Sequence, residues 1–168
     1  MEHTQKMVES QKIVWKTWQQ DLLKELREEP NTRTIIWYYD YVGNTGKTFF
    51  AKWQNELMKD TVVVQSGKRE DICYILSKHS EKIHTVIMDF TRSAEFEVNY
   101  NVIESIKNGY FQSGKYESKF ISIPIPHLVV FANFRPQMFK LSLDRWVIRT
   151  LVKSGEMINV HKDNNVSK

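Results

Sequence analysis

Apolar residues recur at helical spacing at Ile13, Val14, Trp18, Leu22, Leu23 and Leu26 within a segment otherwise dense in charge. The spacing predicts an amphipathic helix over residues 9–29, and Pro30-Asn31 ends it. Beyond Pro30 the period changes. Residues 34–39, 61–65, 86–90 and 128–132 are short β-branched or aromatic runs of strand length. Helix-like segments occupy residues 47–58, 70–78 and 100–107 between them. Strands alternating with helices imply a parallel sheet joined by crossover helices, an α/β fold. Past the last apolar cluster, residues 157–168 carry Asp163-Asn164-Asn165 and Ser167 and read as a loosely ordered tail.

With 168 residues, 41% of them apolar, and five Trp, the chain has material for one domain with a sizeable core. No apolar run approaches the roughly 20 residues that span a bilayer, and the N-terminus has no signal-peptide pattern, so no membrane is expected and a soluble, intracellular protein is. The single cysteine, Cys73, lies in Ile72-Cys73-Tyr74-Ile75-Leu76. It has no partner for an internal disulfide and is expected as a buried helix residue. Net charge is +4 but uneven: residues 101–168 hold ten Lys and Arg against five Asp and Glu, and residues 1–100 hold 14 against 15. That excess is a weak pointer to a polyanion.

The chemistry begins at Gly43-Asn44-Thr45-Gly46-Lys47-Thr48. Set between an apolar run and a helix-like segment, this is a phosphate-binding loop in its strand–loop–helix context. Backbone N–H groups face the phosphates, Lys47 reaches the β- and γ-phosphates, and the Thr48 hydroxyl ligates Mg²⁺. Tyr41 stands where the pattern has its first glycine, and Gly43 supplies the turn two residues later. In such a sheet ligands sit at the carboxyl ends of the strands. One of these ends is Asp89, which in phosphate-loop enzymes holds Mg²⁺ directly or through water and otherwise serves as a turn or cap. Another is Asn133, an amide suited to orienting water or sensing the γ-phosphate, or else a loop residue before Phe134-Arg135-Pro136.

The order GNTGKT, VIMDF, VVFANFRP, LSLDRW, with WYYDYVGNTGKTFFAKW, FTR directly after Asp89, IESIKNG, KYES and PHLVVFANFRP, resembles the superfamily 3 helicase domain of viral replication initiators. More narrowly, it is similar to the Rep proteins of circular single-stranded DNA viruses. The resemblance covers roughly residues 34–150. It implies an AAA+ type P-loop NTPase with a central five-stranded parallel sheet flanked by helices. Residues 1–32 would then be a helical oligomerisation region or linker, 33–155 the ATPase domain and 156–168 a flexible tail. It also implies ATP and Mg²⁺ as cofactors and a homo-oligomeric ring, expected as a hexamer. Lys47 and Thr48 fall on motif A, Asp89 on motif B, Lys115 on motif B′ and Asn133 on motif C. Arg145 falls on the arginine finger, which acts across a subunit interface; Arg149 competes for that role, and an ion pair of Arg145 with Asp144 is the plain alternative. Many related motifs B carry two adjacent acids, whereas Asp89 is followed by Phe90. Glu95, Glu97 and Glu104 are the possible substitutes as general base.

Single-stranded DNA is the expected partner. Gly109 and Gly114 permit turns, Lys115 and Lys119 can meet phosphates, and Tyr110, Phe111 and Tyr116 offer stacking faces, although Phe111 and Tyr116 are equally placed to be core residues of a hairpin. RNA would bind the same residue types. The five histidines are scattered, without a His-hydrophobic-His pair or metal-ligand spacing, so DNA nicking is not attributed to this chain. By resemblance, an endonuclease domain would be covalently linked in the full-length protein, acting in the host nucleus. Two other functions fit the loop: a nucleotide-dependent assembly module that binds nucleic acid without unwinding it, and a small-molecule kinase. The kinase lacks an Arg-rich lid and leaves Asn133 and Arg145 without a role.

Overall fold

The computed structural model describes residues 12–65, 68–79, 82–113 and 119–161. Helices α1 (Thr17–Arg27), α2 (Lys47–Leu57), α3 (Arg69–Ser77) and α4 (Tyr100–Asn108) alternate with strands. The strands are β1 (Ile35–Tyr39), β2 (Thr61–Gln65), β3 (Thr85–Asp89), β4 (Tyr110–Ser113), β5 (Lys119–Ser122), β6 (His127–Ala132), β7 (Trp146–Leu151) and β8 (Met157–His161). The main sheet runs β2-β3-β6-β1-β7-β8, and β4-β5 form a separate hairpin. Five strands are mutually parallel, and β8 joins β7 antiparallel at the edge.

Every residue of β1, β3 and β6 is buried, which is why these strands read as unbroken apolar runs rather than alternating ones. The period of two shows instead in which core each residue joins. Ile35, Trp37, Met88 and Val130 face a core completed by α3 and α4. Ile36, Tyr38, Ile87 and Phe131 face a second core built with Trp18, Leu22 and Leu26 of α1 and Phe50 of α2. Cys73 is buried in the first core, as a helix residue.

Three expectations need correction. First, α1 begins at Thr17, with residues 12–16 non-helical and residues 9–11 of the expected helix outside the described residues: Lys16 is extended, its N–H donates to Gln19 Oε1 at 2.8 Å, and the Trp18 N–H donates to the Gly155 carbonyl at 3.2 Å. A turn from the far end of the chain thus satisfies one of the helix's free donors, and Val14 is left 93% exposed. Second, among the described residues the five expected parallel strands are joined by a sixth, antiparallel strand at the edge. Third, residues 157–161, expected in a loose tail, form β8. Ile158 and Val160 alternate with Asn159 and His161 along it, but no residue of the strand is buried, and its place is set by backbone pairing with β7.

Trp18 is 1% exposed, packs on Tyr38, Phe50 and Phe131, and donates its indole N–H to the Thr45 carbonyl at 3.1 Å. Trp18→Ala is expected to cost roughly 3–5 kcal/mol, read as a fall in thermal midpoint. Phe139→Ala, at a 79% exposed site, should stay within about 0.5 kcal/mol of the parent.

Candidate nucleotide-binding site

β1 ends at Tyr39, and the chain turns through residues 40–46 into α2. Gly43 (φ 82°), Asn44 (φ 61°) and Gly46 (φ 92°) are all left-handed, and such a turn directs successive N–H groups to one side. Gly46 is the N-cap of α2, with no side chain capping the first turn, so the helix start offers both free donors and the positive end of its dipole to an anion. From outside, α1 grips the loop: besides Trp18 on Thr45, the Gln19 amide donates to the Gly46 carbonyl at 3.0 Å. A methyl group on Gly46 would lie 2.7 Å from Gln19 Nε2. The segment expected to serve oligomerisation therefore braces the phosphate loop.

Inside the loop stands Asp40, 2% exposed, which the sequence reading passed over. Its carboxylate accepts from the Gly43 N–H, the Thr45 hydroxyl and the Lys47 ammonium. The Asn133 amide donates to it and to its backbone carbonyl, both at 3.4 Å. The available signal was a carboxylate directly after a five-residue buried strand. Burial by itself would raise the Asp40 carboxyl; the bonds from Lys47 and Thr45, with the Lys47 charge and the Gly43 N–H, bring it below the ordinary value.

Parallel registry assembles the remaining parts. Tyr39 pairs with Ala132 and Asp89 with Phe131, so Asp40, Asp89 and Asn133 emerge at the same end of three adjacent strands. The Thr48 hydroxyl donates to Asp89 Oδ2 at 3.0 Å. Burial raises the Asp89 carboxyl despite that bond and the Lys47 charge; such a carboxylate gains from a cation. Among the described residues no three His, Cys, Asp or Glu converge. Mg²⁺ would therefore rest on Thr48, Asp89, phosphate oxygens and water, a hard-oxygen set that suits it. A cavity of about 510 Å³ adjoins Thr48 and Asp89, bordered by Lys52, Asn55, Gln65 and Asp71.

Other expected residues lie elsewhere. Trp146 pairs with Ile35, which puts Arg145 at the opposite end of the sheet from its own loop. It is 4% exposed, and its guanidinium donates to Asn108 Oδ1 at 2.7 Å and the Arg33 carbonyl at 3.3 Å, with Glu104 at 3.5 Å. Asp144 pairs with Arg33 at 2.6 Å, not with Arg145. Arg149 binds the Tyr38 hydroxyl at 2.7 Å and Glu25 at 3.0 Å. Phe90 is core, against Trp37. Glu95 and Glu97 border a separate cavity with Asn99 and Lys140. On the hairpin, Phe111 is 2% exposed and belongs to the core, whereas Lys119 is exposed. Tyr110 and Phe120, both exposed, stack at 4.8 Å with an interplanar angle of 5°. Lys115 and Tyr116 lie outside the described residues.

No family model matches the chain. It is similar to a Para-Rep of Faba bean necrotic yellows C9 alphasatellite, 40% identical over 131 residues, 77% of this chain and 45% of that protein. It is 42% identical over 130 residues to the master replication protein of Subterranean clover stunt virus, 76% of this chain and 43% of the relative. The master replication protein of Faba bean necrotic yellows virus is 40% identical over 144 residues, 84% of this chain and 48% of the relative. The chain thus spans somewhat under half the length of these curated relatives, which are viral and alphasatellite replication proteins.

The two carboxylates predict opposite pH behaviour. Asp40 is lowered, so its contribution to stability is present above the ordinary Asp value near 3.9 and is lost as pH falls through its own lower value. Asp89 is raised, so its charge costs stability above its native value, and the cost vanishes in acid. Thermal midpoints between pH 3 and 7 should show Asp40→Asn below the parent at pH 7 and converging on it in acid. Asp89→Asn, without Mg²⁺, should lie above the parent at pH 7, again converging as pH falls.

Proposed function

We propose that this chain is the ATPase and helicase domain, of superfamily 3 and AAA+ type, of a viral rolling-circle replication initiator. The convergence of Lys47, Thr48, Asp89 and Asn133 on one left-handed loop carries the reading, and the likeness to master replication proteins supports the replicative setting. Lys47 and the N–H groups of residues 43–48 bind the phosphates. Thr48 and Asp89 would hold Mg²⁺, which would supply positive charge against the phosphates. Asn133 orients water toward the γ-phosphate.

Single-stranded DNA passes over the hairpin, its bases on the stacked Tyr110–Phe120 face and its phosphates near Lys119; Lys115, expected to meet phosphates, and Tyr116, expected to stack on a base, lie outside the described residues. Base–aromatic stacking contributes roughly 1–3 kcal/mol per base. The working form is a homo-oligomeric ring, a hexamer by resemblance, linked to an endonuclease domain and acting in the host nucleus. For Arg145 to serve a neighbouring subunit as a finger it has to leave Asn108, the Arg33 carbonyl and Glu104. Those contacts favour a structural role within its own chain. A second reading, a nucleotide-dependent assembly module without unwinding, draws support from Phe90, which stands where a second acid would follow Asp89.

ATP hydrolysis and binding of a fluorescent ATP analogue, with and without single-stranded DNA, test the proposal. Lys47→Ala should abolish both. Asn133→Ala should keep binding and lose turnover by about 100-fold to 1000-fold, the range for loss of one transition-state donor. Analogue binding without hydrolysis under every condition would favour the assembly module; no binding at all would overturn the nucleotide reading. Arg145→Ala should lower the thermal midpoint, because its removal leaves Glu104 and Asn108 unpaired; full stability with turnover abolished would restore the finger.

A further inference from the structure

Position 92 carries a cation for which the proposed mechanism has no use. Arg92 opens a short 3₁₀ turn (Arg92–Ala94) three residues beyond Asp89. Both ends of the turn are pinned: Phe90 is buried and its N–H donates to the Phe131 carbonyl at 2.9 Å, while Ala94 is buried and its N–H donates to Thr91 at 3.0 Å. The side chain projects from this anchored turn over the phosphate loop. A methyl group built on Gly43 would lie 3.6 Å from Arg92 Nη2 and 3.9 Å from Asn133 Nδ2. The guanidinium, the loop's sharpest turn and the amide assigned to the γ-phosphate therefore share one small region.

Charge sharpens the point. Lys47 is matched by Asp40, and Asp40 owes its lowered carboxyl to Lys47, Thr45 and Gly43, not to Arg92. Among the described residues Arg92 has no hydrogen-bond or ion-pair partner, and it is exposed. The other arginine near this end of the sheet, Arg135, lies over the Tyr39 ring at 5.9 Å. Arg145, the expected charge donor, is buried at the far end with its own partners. An always-charged planar fork at the mouth of an anion-binding loop is suited to phosphate oxygens.

Resting on the nucleotide reading above, we propose that Arg92 is a catalytic residue acting in cis, contacting the γ-phosphate of a nucleoside triphosphate held by its own loop. In the step it serves, a water oxygen bonds to the γ-phosphorus and the bond from that phosphorus to the β–γ bridging oxygen breaks. The nucleoside diphosphate leaves with the electron pair, and both water protons depart with the phosphate product as dihydrogen phosphate, one then passing to solvent. Arg92 keeps its protons throughout and stabilises charge on the transferring group. The site thus supplies from its own subunit the positive charge that a finger brings from a neighbour.

The test uses the full chain with ATP turnover and fluorescent-analogue binding as separate readouts. Arg92→Ala should reduce kcat about 100-fold or more while analogue affinity changes less than about tenfold, and Arg92→Lys should restore only part of the rate, since an ammonium lacks the fork. Subunit mixing separates cis from trans. An equimolar mixture of Arg92→Ala and Lys47→Ala chains should remain inactive, because no subunit then holds both groups. Recovery of turnover in that mixture would show Arg92 acting across an interface and overturn the assignment. So would unchanged kcat in Arg92→Ala, or a loss of binding as complete as that of Lys47→Ala. A parent chain that neither binds the analogue nor hydrolyses ATP would overturn the nucleotide reading first.

Discussion

The pairing of Asp40 with Lys47 inside the loop is the contact on which this end of the molecule depends. Both groups are nearly out of solvent, at 2% and 8% exposure, and a buried charge without a partner is costly. With the pair in place, the Gly43 N–H and the Thr45 hydroxyl are drawn to the same carboxylate, and the left-handed turn is held from within. The same pair sets a condition on ligand binding. Any anion reaching this loop would have to compete with Asp40 for the Lys47 ammonium.

The loop is also held from without. Trp18 and Gln19 of α1 satisfy the Thr45 and Gly46 carbonyls, and the other end of α1 is tied down by two histidines. His84 donates to the Leu26 carbonyl at 3.0 Å and His127 to the Glu28 carbonyl at 2.7 Å, and their rings meet edge to face at 5.1 Å. Orphan carbonyls at a helix end need such partners. A helix fixed at both termini passes its position to the loop of residues 40–46, so α1 belongs mechanically to the candidate site.

The two ends of the parallel sheet do different work. At the carboxyl ends, Asp40, Asp89 and Asn133 gather beside α2. At the amino ends, buried cations hold segments together. Lys107, 1% exposed, donates to the Pro126 carbonyl at 2.7 Å, and burial lowers its ammonium to about 8. Arg145 ties Asn108, at the end of α4, to the Arg33 carbonyl just before β1. Its burial follows from registry: a residue preceding β7 lies level with the start of β1, wedged between α4 and the entry to the sheet.

Local pattern was enough for much of this. The β-branched runs, the helical spacing of Trp18, Leu22 and Leu26, and GNTGKT between strand and helix specified an α/β fold, a mostly parallel sheet and a sharp glycine turn between β1 and α2, because each depends on neighbours in the chain. Lys47, Thr48, Asp89 and Asn133 were legible for the same reason, since each follows a recognisable strand or opens a helix. What lay beyond reach depended on distant partners. The edge strand β8 carries only the brief alternation Ile158-Asn159-Val160-His161, and its backbone bonds to β7 are what make it a strand. The burial of Asp40, the grip of α1 on the loop, the confinement of Arg145 and the placing of Arg92 over Gly43 come from contacts between segments tens of residues apart. Sequence by itself determined which chemical groups the site possesses; only the tertiary structure decided which charges are paired and which are free, because pairing depends on distance in space and not along the chain.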